Sequence, residues 1–427
     1  MGLAEPLLPT GGLQRGDTLD GTPVIGGVFV LANTILGAGM LGLPFAFAAC
    51  GLAIGPVMLG VFACFSITAL VLLSECADRV GRPATFNTVA EKAVPGSGLA
   101  ISFAVAIKCF GVATSYLIVI GDSVPKSVVA LGGSGWLIRR QVWTLAALCI
   151  AAPLAYMKRI TALKNVSLVA LGCVMGITVM IVCFAIFRDS EADGVFDPCP
   201  ATGAVASSCP PGQMAYFTSV PQVLRALPLF VFSYTCHQNI FAITNELRMP
   251  TRSRNASVAA IAVTTALCVY ILLGGAGYST FGSKVQHDIL ANYPSSNALV
   301  AVARIAISFV VTCCYPLQAH PTRDNVKTIV NALSPTKLDD HTAHVAITTV
   351  FVAATGTIAC TVDDLGLVLS VVGATGSTIV SYILPGACYF LLFPDRPSRW
   401  IGLLVLIMGL LIMPTSLYLI FFGGSSH

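Results

Sequence analysis

Apolar residues arrive along this 427-residue chain in long blocks, not in the short alternation of strands or the one-sided stripes of surface helices. Eleven blocks approach or exceed the ~20 residues an α-helix needs to cross a bilayer. They cover 23–49, 52–74, 98–121, 140–157, 163–187, 221–247, 256–280, 297–318, 343–361, 364–392 and 399–422. No polar stretch of soluble-domain length separates them. The pattern predicts an all-α integral membrane protein with eleven transmembrane helices in one domain, 23–422. It leaves a cytosolic N-terminal tail at 1–22 and a short outer tail at 423–427.

Composition agrees, with 56% hydrophobic and 10% charged residues, against the roughly 25% charged of a soluble domain. The net charge of +4 points to no nucleic acid. Its distribution is more informative. Fifteen basic residues fall in loops on the N-terminal side and five on the other, so the positive-inside rule places the N-terminus in the cytosol. The first twenty residues lack the basic start and apolar core of a signal peptide. Glu5-Pro-Leu-Leu-Pro9 only loosely matches an acidic dileucine sorting signal. The sequons at Asn165 and Asn255 fall on the inner side and are expected to stay unmodified.

The outer loop 188–220 carries Cys199 and Cys209, alone in a polar segment that faces an oxidising compartment. A short disulfide loop between them is expected. The other thirteen cysteines sit in or beside apolar blocks, where a thiol packs as a small hydrophobe.

Two blocks contain poor helix material. Asn33-Thr-Ile-Leu-Gly-Ala-Gly-Met-Leu-Gly-Leu-Pro44 puts three glycines and a proline inside the first, and glycine costs about 1 kcal/mol and proline about 3 in a helix interior. Leu227–Asn239 (LPLFVFSYTCHQN) puts a polar run inside the sixth. Interrupted helices persist in lipid only where protein buries them or a cavity runs past. Two of them five spans apart suit a five-plus-five inverted repeat with its ligand site near the midplane.

Freed carbonyls near Asn33–Leu36 would favour a cation, and free N–H groups near Ala38–Leu41 a carboxylate. Gly37, Ala38 and Gly39 let a ligand approach the backbone, with Met40 beside them. Phe232, Ser233 and Tyr234 would supply carbonyls for an ammonium group. Together the breaks suit a zwitterion, hence an amino acid. Close packing by small residues is the competing explanation, but Gly39-Met-Leu-Gly42 lacks the four-residue spacing and Pro44 disfavours a continuous helix.

Charges within the blocks are expensive and face a cavity or a partner. Lys108 could pair with a carboxylate, the ligand's or that of Glu75, or snorkel. Arg304 is near enough to a span end to snorkel. Glu75 and Glu246, at inner helix ends, could latch onto nearby arginines. His237 could carry a proton or act as a gate, since histidine titrates near neutral pH.

These residues resemble the amino acid/auxin permease family, particularly its sodium-coupled neutral and vacuolar amino acid transporters. Gly27–Pro44 looks like the family's first helix, and Cys236-His-Gln-Asn-Ile240 followed by Asn245-Glu-Leu-Arg248 like its sixth. Tyr315-Pro-Leu-Gln-Ala-His-Pro-Thr-Arg323 resembles the end of its eighth, and Gly373-Ala-Thr-Gly-Ser377 with Tyr382-Ile-Leu-Pro385 its tenth. The resemblance implies a LeuT-like fold, alternating access and amino acid transport driven by Na⁺ or H⁺. It implies a sodium site at Asn33 with carbonyls near Leu36 and a hydroxyl on the eighth helix. Thr312 is the candidate hydroxyl, but a shift of two residues would place Cys314 there, and a thiol is a poor ligand for a hard cation.

No metal-spaced cluster, nucleophile elbow or phosphate loop appears, and Gly37-Ala-Gly39 fails the dinucleotide fingerprint. The expected protein is not an enzyme and needs no cofactor besides its coupling Na⁺ or H⁺. Its partners are an amino acid, small and neutral, the coupling cation and the lipid bilayer, and it is expected to work as a monomer. The membrane is vacuolar, lysosomal or plasma. A channel fits paired breaks poorly, and an amino acid sensor on the same fold is the alternative.

Overall fold

A computed structural model describes residues 21–157, 164–187, 196–199, 211–334, 339–362 and 364–422. The tails at 1–20 and 423–427 and Cys209 lie outside them. The regular secondary structure of the described residues is helical, apart from one isolated backbone bridge, Thr22 to Leu247.

The order begins with α1 (Val24–Ile35), a 3₁₀ turn (Ala38–Gly42) and α2 (Leu43–Cys50). Next come α3 (Ile54–Val80), α4 (Phe86–Ala93), α5 (Gly98–Ala130), α6 (Arg140–Ala155) and α7 (Lys164–Phe187). The middle contains α8 (Val220–Ser233), a 3₁₀ turn (His237–Asn239), α9 (Ile240–Glu246) and α10 (Arg252–Phe281). The chain closes with α11 (Ile289–Asn292), α12 (Ala298–Leu333), α13 (Asp340–Thr361), α14 (Leu365–Val372), α15 (Leu384–Leu392) and α16 (Arg399–Phe421). Two π-helical turns, Gly373–Ser377 and Ile379–Ile383, join α14 to α15 without a break.

Among the described residues eight helices are long and apolar enough to cross a membrane, and α1 with α2 makes a ninth, bent by 45°. The apolar blocks at 140–157 and 221–247 behave differently. The first forms only the 16 residues of α6, and the second is divided into α8 and α9. Other spans outrun their blocks. The third continues to Ala130 and the eighth to Leu333, because a helix whose backbone is already paired can leave the lipid with polar side chains. Arg323 fixes the extension of α12 by donating to the carbonyls of Ala155 (2.9 Å) and Met157 (3.3 Å).

The centre of the bundle is the α5–α12 pair, with α1 packed between α7 and α10. Most of the apolar window of α5 is buried (72%), against 22% for α16. Hydrophobic transfer gives no preference between lipid and a neighbouring helix, so packing and hydrogen bonds decide which helices lie inside. Helix α16, with Leu404, Leu411 and Trp400 exposed, is left at the periphery.

Candidate functional site

Helix α1 stops at Ile35. Leu36 and Gly37 leave helical geometry before the 3₁₀ turn begins at Ala38. The carbonyls freed here do not stay free. The Tyr270 hydroxyl lies 2.6 Å from the Ile35 carbonyl and 2.8 Å from that of Ser233, so α10 ties the first break to the second. The Cys314 thiol donates toward the Asn33 carbonyl (3.2 Å) and its amide oxygen (3.4 Å), while the Asn33 amide donates to Ser167 (3.2 Å). Asn33 is fully buried. Thr312 points elsewhere: its hydroxyl donates to the Ser308 carbonyl (2.6 Å), and it lines an apolar groove with Cys313, Phe309 and Val169. One helical turn of α12 therefore presents Cys314 to Asn33 and Thr312 to the groove.

Helix α8 ends at Ser233, and Tyr234–Cys236 leave helical geometry before the turn His237–Asn239. The carbonyl of Phe232 accepts from the Thr235 amide (3.0 Å), so neither it nor that of Ser233 is unoccupied in this conformation. Ser66 reaches the Tyr234 carbonyl at 3.4 Å, and Asn239 donates to Thr34 at 3.1 Å. The breaks meet at Gly39. A Cβ there would come 3.0 Å from the Phe232 ring and 3.1 Å from the Ser233 Cα, so a larger residue would crowd this approach and force its neighbours to give. Ala38 and Met40 are buried beside it. At Gly37 a Cβ would lie 2.9 Å from the Tyr116 hydroxyl of α5.

Polar atoms accumulate around the second break. The Lys108 ammonium, both His237 ring nitrogens, the Tyr234 hydroxyl, the Gln238 Oε1 and the Asn239 Oδ1 are buried with no hydrogen-bond partner among the described residues. Lys108 does not snorkel and does not meet Glu75. It is 1% exposed and packs its stem against Gly376. Glu75 is engaged elsewhere, by Arg252 (2.7 Å), Arg396 (2.9 Å) and the Tyr389 hydroxyl (3.3 Å). Arg304 does not snorkel either. It is buried and donates to the carbonyls of Leu290 in α11 (2.8 Å) and of Tyr293 just after it (3.0 Å), which lie within its reach and hold it inward.

Two cavities flank the breaks. One, of about 190 Å³, lies between α4, α9 and α12 and contains Gln238, Glu246 and Asp324. The other, of about 470 Å³, lies at the opposite end between α5, the loop 285–291 and α14, with Asp122, Lys126, His287, Asp288 and Asp364. In that loop the His287 ring lies 3.8 Å from that of Phe45 on α2. Burial holds His287 below the ordinary histidine value against the opposing pull of Asp364, and pushes the Asp288 carboxyl up. Cys199 is disulfide-bonded.

The residues that sequence reasoning missed are Tyr116, Tyr270, Gln238 and Gln318. Tyr116, Tyr270 and Gln318 are polar groups in apolar helices, and Gln238 lies in the polar turn that the sequence marked as the second break. That was the available signal, but their partners are far away in sequence.

The family model described as "Transmembrane amino acid transporter protein" matches residues 20–423. The vacuolar amino acid transporter 5 of Schizosaccharomyces pombe is 34% identical, over 85% of this chain and 83% of its own length. Vacuolar amino acid transporter 6 of Saccharomyces cerevisiae is 31% identical over 92% and 97%. The sodium-coupled neutral amino acid transporter 7 of Danio rerio is 27% identical over 88% and 80%. A solved Na⁺-coupled sialic acid symporter in its substrate-bound outward-open state shares the fold, with a TM-score of 0.59 at 12% identity, covering 95% of this chain and 92% of that one. The family and these relatives are transporters, not enzymes.

Proposed function

Because the chain belongs to the transmembrane amino acid transporter family, we propose that it is a secondary active transporter of small neutral amino acids working by alternating access. The observation that carries this reading is the contact of two interrupted helices at Gly39 and Ser233, deep inside the protein. Backbone freed from helical pairing at membrane depth is tolerated where protein encloses it or a ligand path passes.

Counting the α1–α2 pair, α6 and the α8–α9 pair as crossings gives eleven spans. In this reading the N-terminus is cytosolic, the membrane is vacuolar, lysosomal or plasma, and the broken helices rock as a unit. The coupling ion is H⁺ or Na⁺. The Cys314 thiol, which occupies the position facing Asn33, weighs against a hard cation there.

The test is uptake of a panel of labelled amino acids into proteoliposomes, with Na⁺ and pH gradients imposed separately. Accumulation of neutral amino acids under one gradient alone is expected. Binding without flux under either gradient would favour a sensor instead.

A further inference from the structure

At the end of the molecule opposite the Thr22–Leu247 bridge, the loop after α10 folds back over the first break. Its short helix α11 packs on the 3₁₀ turn Ala38–Gly42, and the His287 carbonyl would lie 3.6 Å from a Cβ at Gly42. Toward α12 the loop is braced by hydrogen bonds. Arg304 holds the carbonyls of Leu290 (2.8 Å) and Tyr293 (3.0 Å). Within the loop Asn292 binds the Lys284 carbonyl (3.1 Å) and the Gln286 amide (2.9 Å).

Toward α2 and α14 the contact is of another kind. The His287 ring fills a slot, 3.8 Å from the Phe45 ring of α2. On the α14 side a Cβ at Gly366 would come 2.6 Å from its Cγ. Its Nδ1 is buried with no hydrogen-bond partner among the described residues, so packing seats the ring. The same ring forms part of the wall of the cavity of about 470 Å³. A cavity of that size with a charged lining takes up water, so a proton from this face reaches His287.

The charges around the ring are already engaged. From α5 come Lys126 and Asp122, the latter paired with Arg140 of α6 (3.3 Å). Asp364 caps α14 through the Leu367 amide (2.9 Å). Asp288 caps α11 through the Leu290 amide (2.9 Å), under the positive charge of Arg304 from α12. Burial opposes the charged ring more strongly than Asp364 favours it. A charged ring therefore prefers water to the slot.

We propose that His287 is a proton-binding site that controls a lid over the first break: protonation from this face drives the ring out of its slot between Phe45 and Gly366 and lifts the loop 285–297. Acid on this face opens the path to the breaks, and neutral solution closes it. What the lid admits rests on the transport reading above; the proton site does not.

The experiment reads the lid without relying on flux. Ile289 is fully buried beneath the loop, beside Gly277 and Pro44, and Ile289→Cys is placed in the full chain in proteoliposomes. A membrane-impermeant thiol reagent is applied from the lid face, without amino acid and with equal pH on both sides. The chain lacking the new cysteine gives the background of native thiols. Comparing Ile289→Cys with Ile289→Cys/His287→Gln at each pH cancels the reagent's own pH dependence. Below 6.5 labelling is expected to be several-fold faster with His287 than with glutamine, and above 6.5 the two should agree. An identical response to acid in both overturns the proposal.

Asp364→Asn keeps a capping side chain but removes the charge that favours protonated His287 in the slot. In the Ile289→Cys background it should enlarge the response to acid. A smaller response would mean that a His287–Asp364 ion pair holds the lid shut, which overturns the proposal. This variant decides alone should His287→Gln fail to fold. Acid-dependent labelling in a protein that moves no labelled amino acid would uphold the lid and sink the transport reading.

Discussion

Both interrupted helices have their freed backbone carbonyls covered, but they differ in how many side-chain polar atoms they leave over. At the first break the exposed backbone is covered by the protein itself: Tyr270 covers Ile35, Cys314 covers Asn33, and the Asn33 amide is bonded to Ser167. At the second break polar side chains outnumber partners, and His237, Gln238 and Asn239 each leave a buried atom unmatched. A break with spare donors and acceptors is where a polar ligand gains most, because buried groups without partners are costly until something binds them. In the proposed transport reading, the first break would shape the site by letting backbone come close, and the second would supply the polar groups.

The strongest way to break this contrast is at the contact between the two. Gly39→Val would push branched carbon into the Phe232 ring and the Ser233 backbone, and overpacking of this kind costs about 1–3 kcal/mol or more. Uptake is expected to fall to background in proteoliposomes. Full transport by this variant would show that the breaks need not touch.

Tyr270→Phe tests the claim that the first break is closed by its neighbours. It removes the single hydroxyl proton that the two buried carbonyls share, with an expected loss of about 1–3 kcal/mol. The melting temperature in detergent should drop clearly. The similarly sized His237→Gln at the second break should change it less, since neither ring nitrogen meets the hydrogen-bond criteria with a partner among the described residues. Equal drops would erase the distinction between the breaks.

A smaller effect is expected from Cys314→Ser, which puts a hard oxygen where a thiol faces Asn33. Uptake should become more strongly stimulated by Na⁺. An unchanged Na⁺ response would assign the position to packing.

The smallest effect concerns the cap over α2, where burial holds His287 below its ordinary 6.5. Between the folded value and 6.5 the unfolded chain binds more protons, so the stability contributed by neutral His287 is lost as pH falls below 6.5. His287→Gln should flatten that acid-side decline in melting temperature. A decline as steep as in the wild type would remove His287 as its cause.

Much of this could be read along the chain. Gly37, Gly39 and Pro44 mark the first weak point by propensity alone, and the polar run from Ser233 to Asn239 marks the second. Less legible was which way each side chain of α12 turns. Thr312 and Cys314 are two residues apart, and a helix turns about 200° over that interval, so they face opposite sides. Only the rotation of α12 against α1 gave Asn33 the thiol. Arg304 and Lys108 were misjudged as candidates for snorkelling because burial by neighbouring helices is not written in their own segments.

The sequence by itself determined that the chain lives in lipid, where its helices are, and where two of them break. These properties follow from the length of apolar runs and from local backbone preference, which depend on neighbours in sequence. The tertiary structure decided which groups surround each break. The partners that close the first lie 235 residues from Ile35 and 281 from Asn33, and Gln318 lies 80 residues from Gln238. Hydrogen bonds over such separations depend on how whole helices pack, and in lipid that packing follows from shape and polar matching without a hydrophobic pattern to betray it.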